Sequence, residues 1–416
     1  MDDLTLIFQL SLPSLQRRRG VTDHAVDTRQ LSLARQEGLA ELIWFYRENA
    51  HPFSAETANV LKQIFVHTVA RNLVYQQVIQ VLSEDWRDIP FALLKGMYLV
   101  RDVYPDMGVR RFSDIDILVR AEHMQEVIRR LADLQYHAAT AIRADRFEHS
   151  AFVNSIMFYA EDGQGPPLHV HWHLFNTTTP KYTGVPLDIE ALWQRARLCA
   201  GKPAALSAED TLLHLCEHAL RHSFNRLILL RDIYEMITVG HATGKGAVGQ
   251  AVSRLPATAF PHRTQDAAGP VTGQGRMCRP VFALDGEAFV RVAQDAGLAR
   301  AACCALEMVE WYAGPVVDPA IMAALRPGRR GIGERVFMRW TRKGRRHPEL
   351  CNLAWWSARE TLRGKWRFLW QLAFPPRGVL VAAYGKPEKE IGMREYLSRI
   401  LRGARQLLAA LCHVRH

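Results

Sequence analysis

Apolar positions from about Asp27 to Glu84 recur three and four residues apart, as in "NVLKQIFVHTVARNLVYQQVIQVL", and no strand-like alternation interrupts them. This spacing predicts a helical N-terminal segment over residues 1–85. The period then changes. "IPFALLKG" reads as a short buried strand ending at Gly96, "MYLVRDVY" as a helix, "FSDIDILVR" as a strand and "AEHMQEVIRRLADLQY" as an amphipathic helix. "AFVNSIMFYAED" and "LHVHWHLF" follow as two further strands, with the turn signal "DGQGPP" between them. Helical spacing returns in "SAEDTLLHLCEHALRH" and "RLILLRDIYEMITVG", where Ser207 is a candidate N-cap and Asp210 stands at the capping-box position.

These patterns predict an α+β protein, with a small mixed-sheet core flanked by helical N- and C-terminal segments. The core and the helices that follow it span residues 86–240. Residues 241–285 are rich in Gly, Ala, Pro and Thr and lose periodicity, which reads as a flexible insertion. Residues 286–416 regain helical spacing and end on the amphipathic "MREYLSRILRGARQLLAALCHV".

One predicted strand carries unexpected chemistry. In "RRFSDIDILV" the side chains of Asp114, Asp116 and Leu118 share one face, while Ile115, Ile117 and Val119 share the other. The second face is core. Two neighbouring carboxylates repel each other, and relief comes from protonation, solvent, a basic partner or a divalent cation. Mg2+ is the expected cation, because it takes a few carboxylate oxygens together with water and substrate phosphates. The Asp-x-Asp triplet alone is weak, since one arises by chance about once in a chain of this length.

Composition narrows the classes. With 416 residues, 48% of them hydrophobic, the chain can bury a large core divided into two or three domains. Its seven cysteines are scattered and form no Cys-x-x-Cys pair, so neither a disulfide framework nor a cysteine zinc site is expected. The N-terminus is acidic where a signal peptide is basic, and no apolar run reaches transmembrane length, so a cytoplasmic protein is expected. The net charge of +11 sits in the tail, where Arg326 to His416 hold 21 Lys+Arg against 6 Asp+Glu and five of the ten tryptophans. The simpler expectation is a basic helical region with its tryptophans as core and its arginines in solvent. Contact of this region with a polyanion, nucleic acid or anionic membrane, is the other.

The ordered motifs "FALLKGMYLVRDVYPDMGVRRFSDIDILV", "HVHWHL", "LSAEDTLLHLCEHALRH" and "LRDIYEMI" resemble the uncharacterised bacterial nucleotidyltransferases of the polymerase-β-like superfamily, over about Asp88 to Gly240. The resemblance implies transfer of a nucleotidyl group from an NTP to an unknown hydroxyl acceptor. It also implies Mg2+ held by Asp114 and Asp116, and a glycine turn at Lys95-Gly96 where helix N-terminal N–H groups meet phosphates. Lys95 and Arg110 are candidates to steady phosphate oxygens. As alternatives, Lys95 is a solvated strand-end lysine, and Arg110 balances the two acids.

The chain departs from that family at one position. Where members carry a third acid before a His-Trp pair, this sequence has His169, and imidazole brings no negative charge and prefers zinc or a transition metal. His169 therefore separates an active transferase from a non-catalytic binding or regulatory relative. Glu161 and Asp162 are candidate substitutes for the missing acid. A third reading, a zinc hydrolase, rests on His169, His171 and His173 sharing a strand face, or on "HLCEH" at His214 to His218. "GHATGKG" falls short of a phosphate loop.

Overall fold

The computed structural model describes residues 1–13, 16, 21, 26–47, 53–139, 154–175, 188–199, 201–242, 284–359, 361–384, 386 and 388–412. Most of the expected 241–285 insertion, including much of "GHATGKG", lies outside the described residues.

Among the described residues, four α-helices open the chain: α1 (Asp3–Leu10), α2 (Thr28–Glu37), α3 (Ala40–Phe45) and α4 (Ala55–Asp85). Their ends follow local chemistry. Asp27 and Gln30 form a reciprocal capping box at the start of α2, and Gly38, at φ 75°, closes it in the left-handed conformation that favours glycine. Ser54 caps α4 by accepting from the Thr57 N–H.

The sheet begins with β1 (Phe91–Leu93), followed by α5 (Lys95–Asp102), β2 (Ile115–Val119), α6 (Met124–Asp133), β3 (Tyr136–Ala138), β4 (Ser155–Ala160) and β5 (Leu168–His171). After α7 (Ile189–Arg195), the hairpin strands β6 (Arg197–Cys199) and β7 (Lys202–Ala205) complete a seven-stranded mixed sheet in the order β3-β4-β5-β2-β1-β7-β6. β2 is the middle strand. It pairs antiparallel to β1 and parallel to β5, and Ile115, Ile117 and Val119 are fully buried.

The sequence pattern located the central strands and missed the three at the edges. β3 was hidden because "ADLQY" continues a helical pattern, whereas the chain leaves α6 at Asp133 and turns through Gln135 at φ 61°. β6 and β7 span three and four residues, too short to display alternation, and are joined through Gly201 at φ 63°. The first strand also ends earlier than expected, at Leu93, so Lys95 and Gly96 begin a helix instead of closing a strand.

The helices α8 (Ala208–Arg221) and α9 (Leu227–Ala242) follow. Ser207 caps α8 through the Asp210 N–H, while the Asp210 carboxylate turns to Arg195 and the Ser207 hydroxyl. Next come α10 (Gly286–Asp295), α11 (Ala299–Ala313), α12 (Pro319–Leu325), α13 (Ile332–Arg342), α14 (Cys351–Ser357), α15 (Leu362–Ala373), α16 (Arg377–Tyr384) and α17 (Met393–Cys412). α10 and α11 pack on α8, and α11 also meets α9 and α1, so one apolar core runs from the N-terminal helices through the sheet to Phe368 of α15. The tail tryptophans divide. Trp355 is buried, but Trp366 and Trp370, expected in the core, are 72% and 65% exposed because α15 turns only Phe368 fully inward.

A buried ion pair fastens the approach to β2. Arg110 donates to Asp232 on α9 from Nε at 2.9 Å and from Nη2 at 2.7 Å, and the Tyr104 hydroxyl donates to the same carboxylate at 2.8 Å. Burial disfavours the Arg110 charge, yet Asp232 more than compensates and raises the guanidinium pKa. From α4, Asn72 donates to the carbonyls of Met107 and Arg110. Asp232→Ala should therefore strand a buried guanidinium and lower the unfolding free energy by about 3–5 kcal/mol, whereas the paired change Arg110→Met with Asp232→Leu should recover most of it. Urea denaturation of the three proteins checks this, and equal stability of wild type and Asp232→Ala would remove the pair from the account.

Candidate active site

The site is built on the parallel pairing of β2 with β5. Their register sets Asp116 opposite His169 and Leu118 opposite His171, so the carboxylate and both imidazoles emerge on one face of the sheet. His171 Nε2 lies 2.9 Å from Asp116 Oδ1, and His169 Nδ1 lies 3.2 Å from the same oxygen. The two imidazole centroids are 4.0 Å apart. On its other side His169 Nε2 meets the Ser155 hydroxyl of β4 at 2.9 Å.

Lys95 completes the cluster from above the end of β1. Its ammonium donates to Asp116 Oδ1 at 2.6 Å, so a single carboxylate oxygen is shared by an ammonium and two imidazoles. Lys95 reaches it from a left-handed backbone conformation, φ 45°, that a lysine adopts only when its surroundings impose it. Gly96 follows for a packing reason, since a Cβ there would lie 2.6 Å from Phe112 Cβ and Cγ. Burial raises the Asp116 carboxyl, but Lys95 first, and then His169 and His171, hold it well below the usual carboxylate range.

Asp114 stands just before β2 and is more open, with a side chain 26% exposed against 7% for Asp116. It accepts from the Ser113 hydroxyl at 2.7 Å, and its Oδ2 lies 3.7 Å from His169 Nδ1. Thus Lys95, Asp114, Asp116 and His169 converge, with Gly96 beside Lys95. Arg110 is placed apart from them, because its guanidinium is taken up by Asp232 and the Arg111 carbonyl. Glu161 lies past the end of β4, where it lines a different hollow with Asp162, Tyr136 and Gly165.

Among the described residues, only Asp116, His169 and His171 bring three ligand atoms within reach of one ion, all within 4.8 Å of one another. This buried Asp/His/His group can bind a metal. The zinc readings meet obstacles in the fold. β5 ends at His171, and the His173 ring turns to the backbone of Phe175. His214 and His218, the two histidines of "HLCEH", lie on α8 outside that group.

Helix α8 nevertheless contributes to the site. Its end presents His218, Arg221 and His222 to a cavity of about 110 Å³ whose opposite wall is Lys95, Ser155, His169 and His171. Sequence reading missed Ser155, Arg221 and His222. The signal was present for the last two, since 214, 218, 221 and 222 fall on one face of a helix. A hollow lined by lysine, arginine and four histidines beside two carboxylates suits a phosphate-bearing ligand with a cation.

An acid-bearing middle strand, an imidazole-bearing parallel neighbour and flanking helices make this an α+β protein with its site on a mixed sheet. The chain belongs to the family described as uncharacterised nucleotidyltransferases, whose family model matches residues 25–255. Among solved structures it is similar to an antigenic nucleotidyltransferase-like protein from Paracoccidioides brasiliensis, at 17% identity and a TM-score of 0.27, over 39% of this chain and 75% of that one. No curated protein matches the chain.

The buried histidines set a pH dependence of stability. Burial first, and then His169 and Lys95, push His171 down to about 3, while burial followed by Lys95 and Arg221 holds His214 and His218 well below 6.5. In the unfolded chain these histidines take up protons below about pH 6.5, while in the folded protein they stay neutral. Stability is therefore complete above 6.5 and lost as pH falls, with up to about 4 kcal/mol per pH unit when all three act. Asp116 adds nothing in this window, because a depressed carboxyl loses its contribution only below the ordinary 3.8. Urea midpoints at successive pH values between 7.5 and 5 should drop steeply, and His214→Asn should flatten the slope. A midpoint independent of pH would contradict neutral burial.

Proposed function

We propose that the protein transfers a nucleotidyl group from an NTP to a hydroxyl acceptor at the Asp114–Asp116–His169 cluster. The observation that carries this reading is the register of β2 on β5, which sets the imidazole of His169 beside the two carboxylates where the third acid of similar transferases is expected. Family membership supports the reaction class.

The donor set suits a divalent cation. Asp114 and Asp116 supply the hard oxygens that Mg2+ takes, and His169, with His171 behind it, adds imidazole nitrogen that favours Mn2+ over Mg2+. Such a cation, when bound, neutralises triphosphate charge and aligns it with the acceptor. The chain's own residues do the rest. Lys95, released from Asp116, turns its ammonium to a phosphate oxygen, and Arg221, His218 and His222 line the cavity where further phosphate oxygens fit. Ser155 orients His169 through Nε2. The acceptor oxygen attacks the α-phosphorus, the bond to the β-phosphate bridge breaks, and pyrophosphate leaves as the acceptor releases its proton. Arg110 acts at a distance, by fixing through Asp232 the loop from which Asp114 projects.

One observation favours a second reading. The Lys95 ammonium already neutralises Asp116, the more buried of the two site acids, and does so without any cation. A non-catalytic binding or regulatory protein would keep this arrangement, with Lys95 in permanent place of the metal.

Four measurements separate the readings. With each labelled NTP and an extract as the source of acceptor, wild type should release pyrophosphate, with Mn2+ half-saturating below Mg2+. Asp114→Asn with Asp116→Asn should lose cation-dependent nucleotide binding by about a hundredfold or more while remaining folded, because each removes a charge at short range from the ion. Lys95→Met should leave cation binding equal or tighter and weaken nucleotide binding, since the ammonium competes for Asp116 Oδ1 and then serves the phosphates. His169→Asp should shift the preference from Mn2+ towards Mg2+. Absence of nucleotide binding in wild type and in His169→Asp alike would give the second reading the field.

A further inference from the structure

Helices α15 and α17 each carry a row of exposed apolar side chains. On α15, Leu362, Trp366, Leu369 and Trp370 fall at i, i+4, i+7 and i+8, one face of the helix, and all four are exposed, Leu362 to 78%. The opposite side is spent on packing. Phe368 is buried, and the Lys365 ammonium covers the ring of Trp356. On α17, Met393, Leu397 and Leu401 repeat the spacing at i, i+4 and i+8, and they too are exposed. The two helices are joined by a chain of rings, from Trp370 to Phe374 at 4.5 Å and from Phe374 to Tyr396 at 5.9 Å.

The exposed charges on the two helices themselves are of one sign. Arg363 and Arg367 follow the apolar row of α15, and Arg394, Arg402 and Arg405 are exposed on α17. The sequence of α15 contains no acid, and the single acid of α17, Glu395, is buried against Lys386 and its own N-terminal turn. Exposed leucines and tryptophans edged by arginine are therefore offered to a partner that is apolar in depth and anionic at its surface.

We propose that α15 and α17 form an interfacial anchor that lies on an anionic lipid bilayer, with the leucine and tryptophan side chains among the acyl chains and the arginines at the headgroups. Tryptophan favours the boundary between headgroup and hydrocarbon, and each basic side chain near an anionic leaflet adds attraction. The helices would lie on the membrane and not cross it, since among the described residues no helix is long and apolar enough to do so. Other occupants fit less well. A nucleic acid would satisfy the arginines but has nothing to cover Leu362, Leu369, Met393, Leu397 and Leu401. A second copy docked about a two-fold axis would set this patch on itself, arginine against arginine. The inference is independent of the chemistry at Asp116.

The test is sedimentation of the full chain with vesicles of phosphatidylcholine alone, or with about 30 mol % phosphatidylglycerol, at low and high salt. Wild type should pellet with the anionic vesicles, poorly with the neutral ones, and lose binding as salt rises. Trp366→Ala with Trp370→Ala, and separately Arg363→Glu with Arg367→Glu, should each weaken partitioning by about tenfold or more while the protein stays folded by circular dichroism, because these side chains are largely exposed. No binding of wild type to anionic vesicles would overturn the proposal. So would tight binding to single-stranded RNA with none to vesicles, or a dimer in solution that the tryptophan pair abolishes.

Discussion

Asp116 Oδ1 is the point on which the structure turns. Asp116 lies on the middle strand of the sheet with its side chain almost wholly buried, and has little access to the water that would normally stabilise its charge. It must be compensated by the protein, and each compensating group imposes a demand on the chain that carries it. Lys95 has to leave β1 through a left-handed turn, Gly96 has to make room for Phe112, and His169 and His171 have to arrive on a strand parallel to β2 and in register with it. A shift of β5 by one residue would turn both imidazoles to the opposite face and leave the carboxylate with Lys95 alone.

The second buried charge pair serves the first. Arg110 and Asp232 join the segment that enters β2 to a helix far along the chain, and Asn72 of α4 holds the carbonyls of the same segment. Without those restraints the segment carrying Asp114 would be an ordinary exposed loop. The helices after residue 284 extend the same logic, since Arg346 pairs with Glu37 of α2 and Gln9 of α1 donates to the Tyr312 carbonyl of α11. The N-terminal helices are thus tied to the helices after residue 284 by contacts remote from the site.

His169, an imidazole beside two carboxylates, brings a nitrogen donor and no negative charge to the cluster. With two acids, a lysine and several imidazoles, the site has less negative charge than a three-carboxylate centre and more nitrogen donors. Lys95 can then neutralise Asp116 in the absence of any ion, which a stronger carboxylate cluster would need an ion to achieve. The cost is competition, because the oxygen that binds the ammonium is the one that a cation would use.

Much of this was legible in the linear pattern, and what was legible was local. Alternation in "FSDIDILVR" located β2 and its acid-bearing face, the 3.6-residue spacing located α4, α6, α8 and α9, and the motif order indicated the family. These signals depend on neighbours within a few residues, which backbone geometry couples directly. Strands of three or four residues escaped because they are too short for a period and exist only through their partners, as β3 does on β4. Arg110 looked like a companion of the nearby acids, and its partner proved to be 122 residues away. The tryptophans of the tail looked like core, yet two of them face solvent. Burial, pairing and register are properties of the assembled chain, and a charge buried in low dielectric takes whichever partner the fold brings within reach, however distant in sequence.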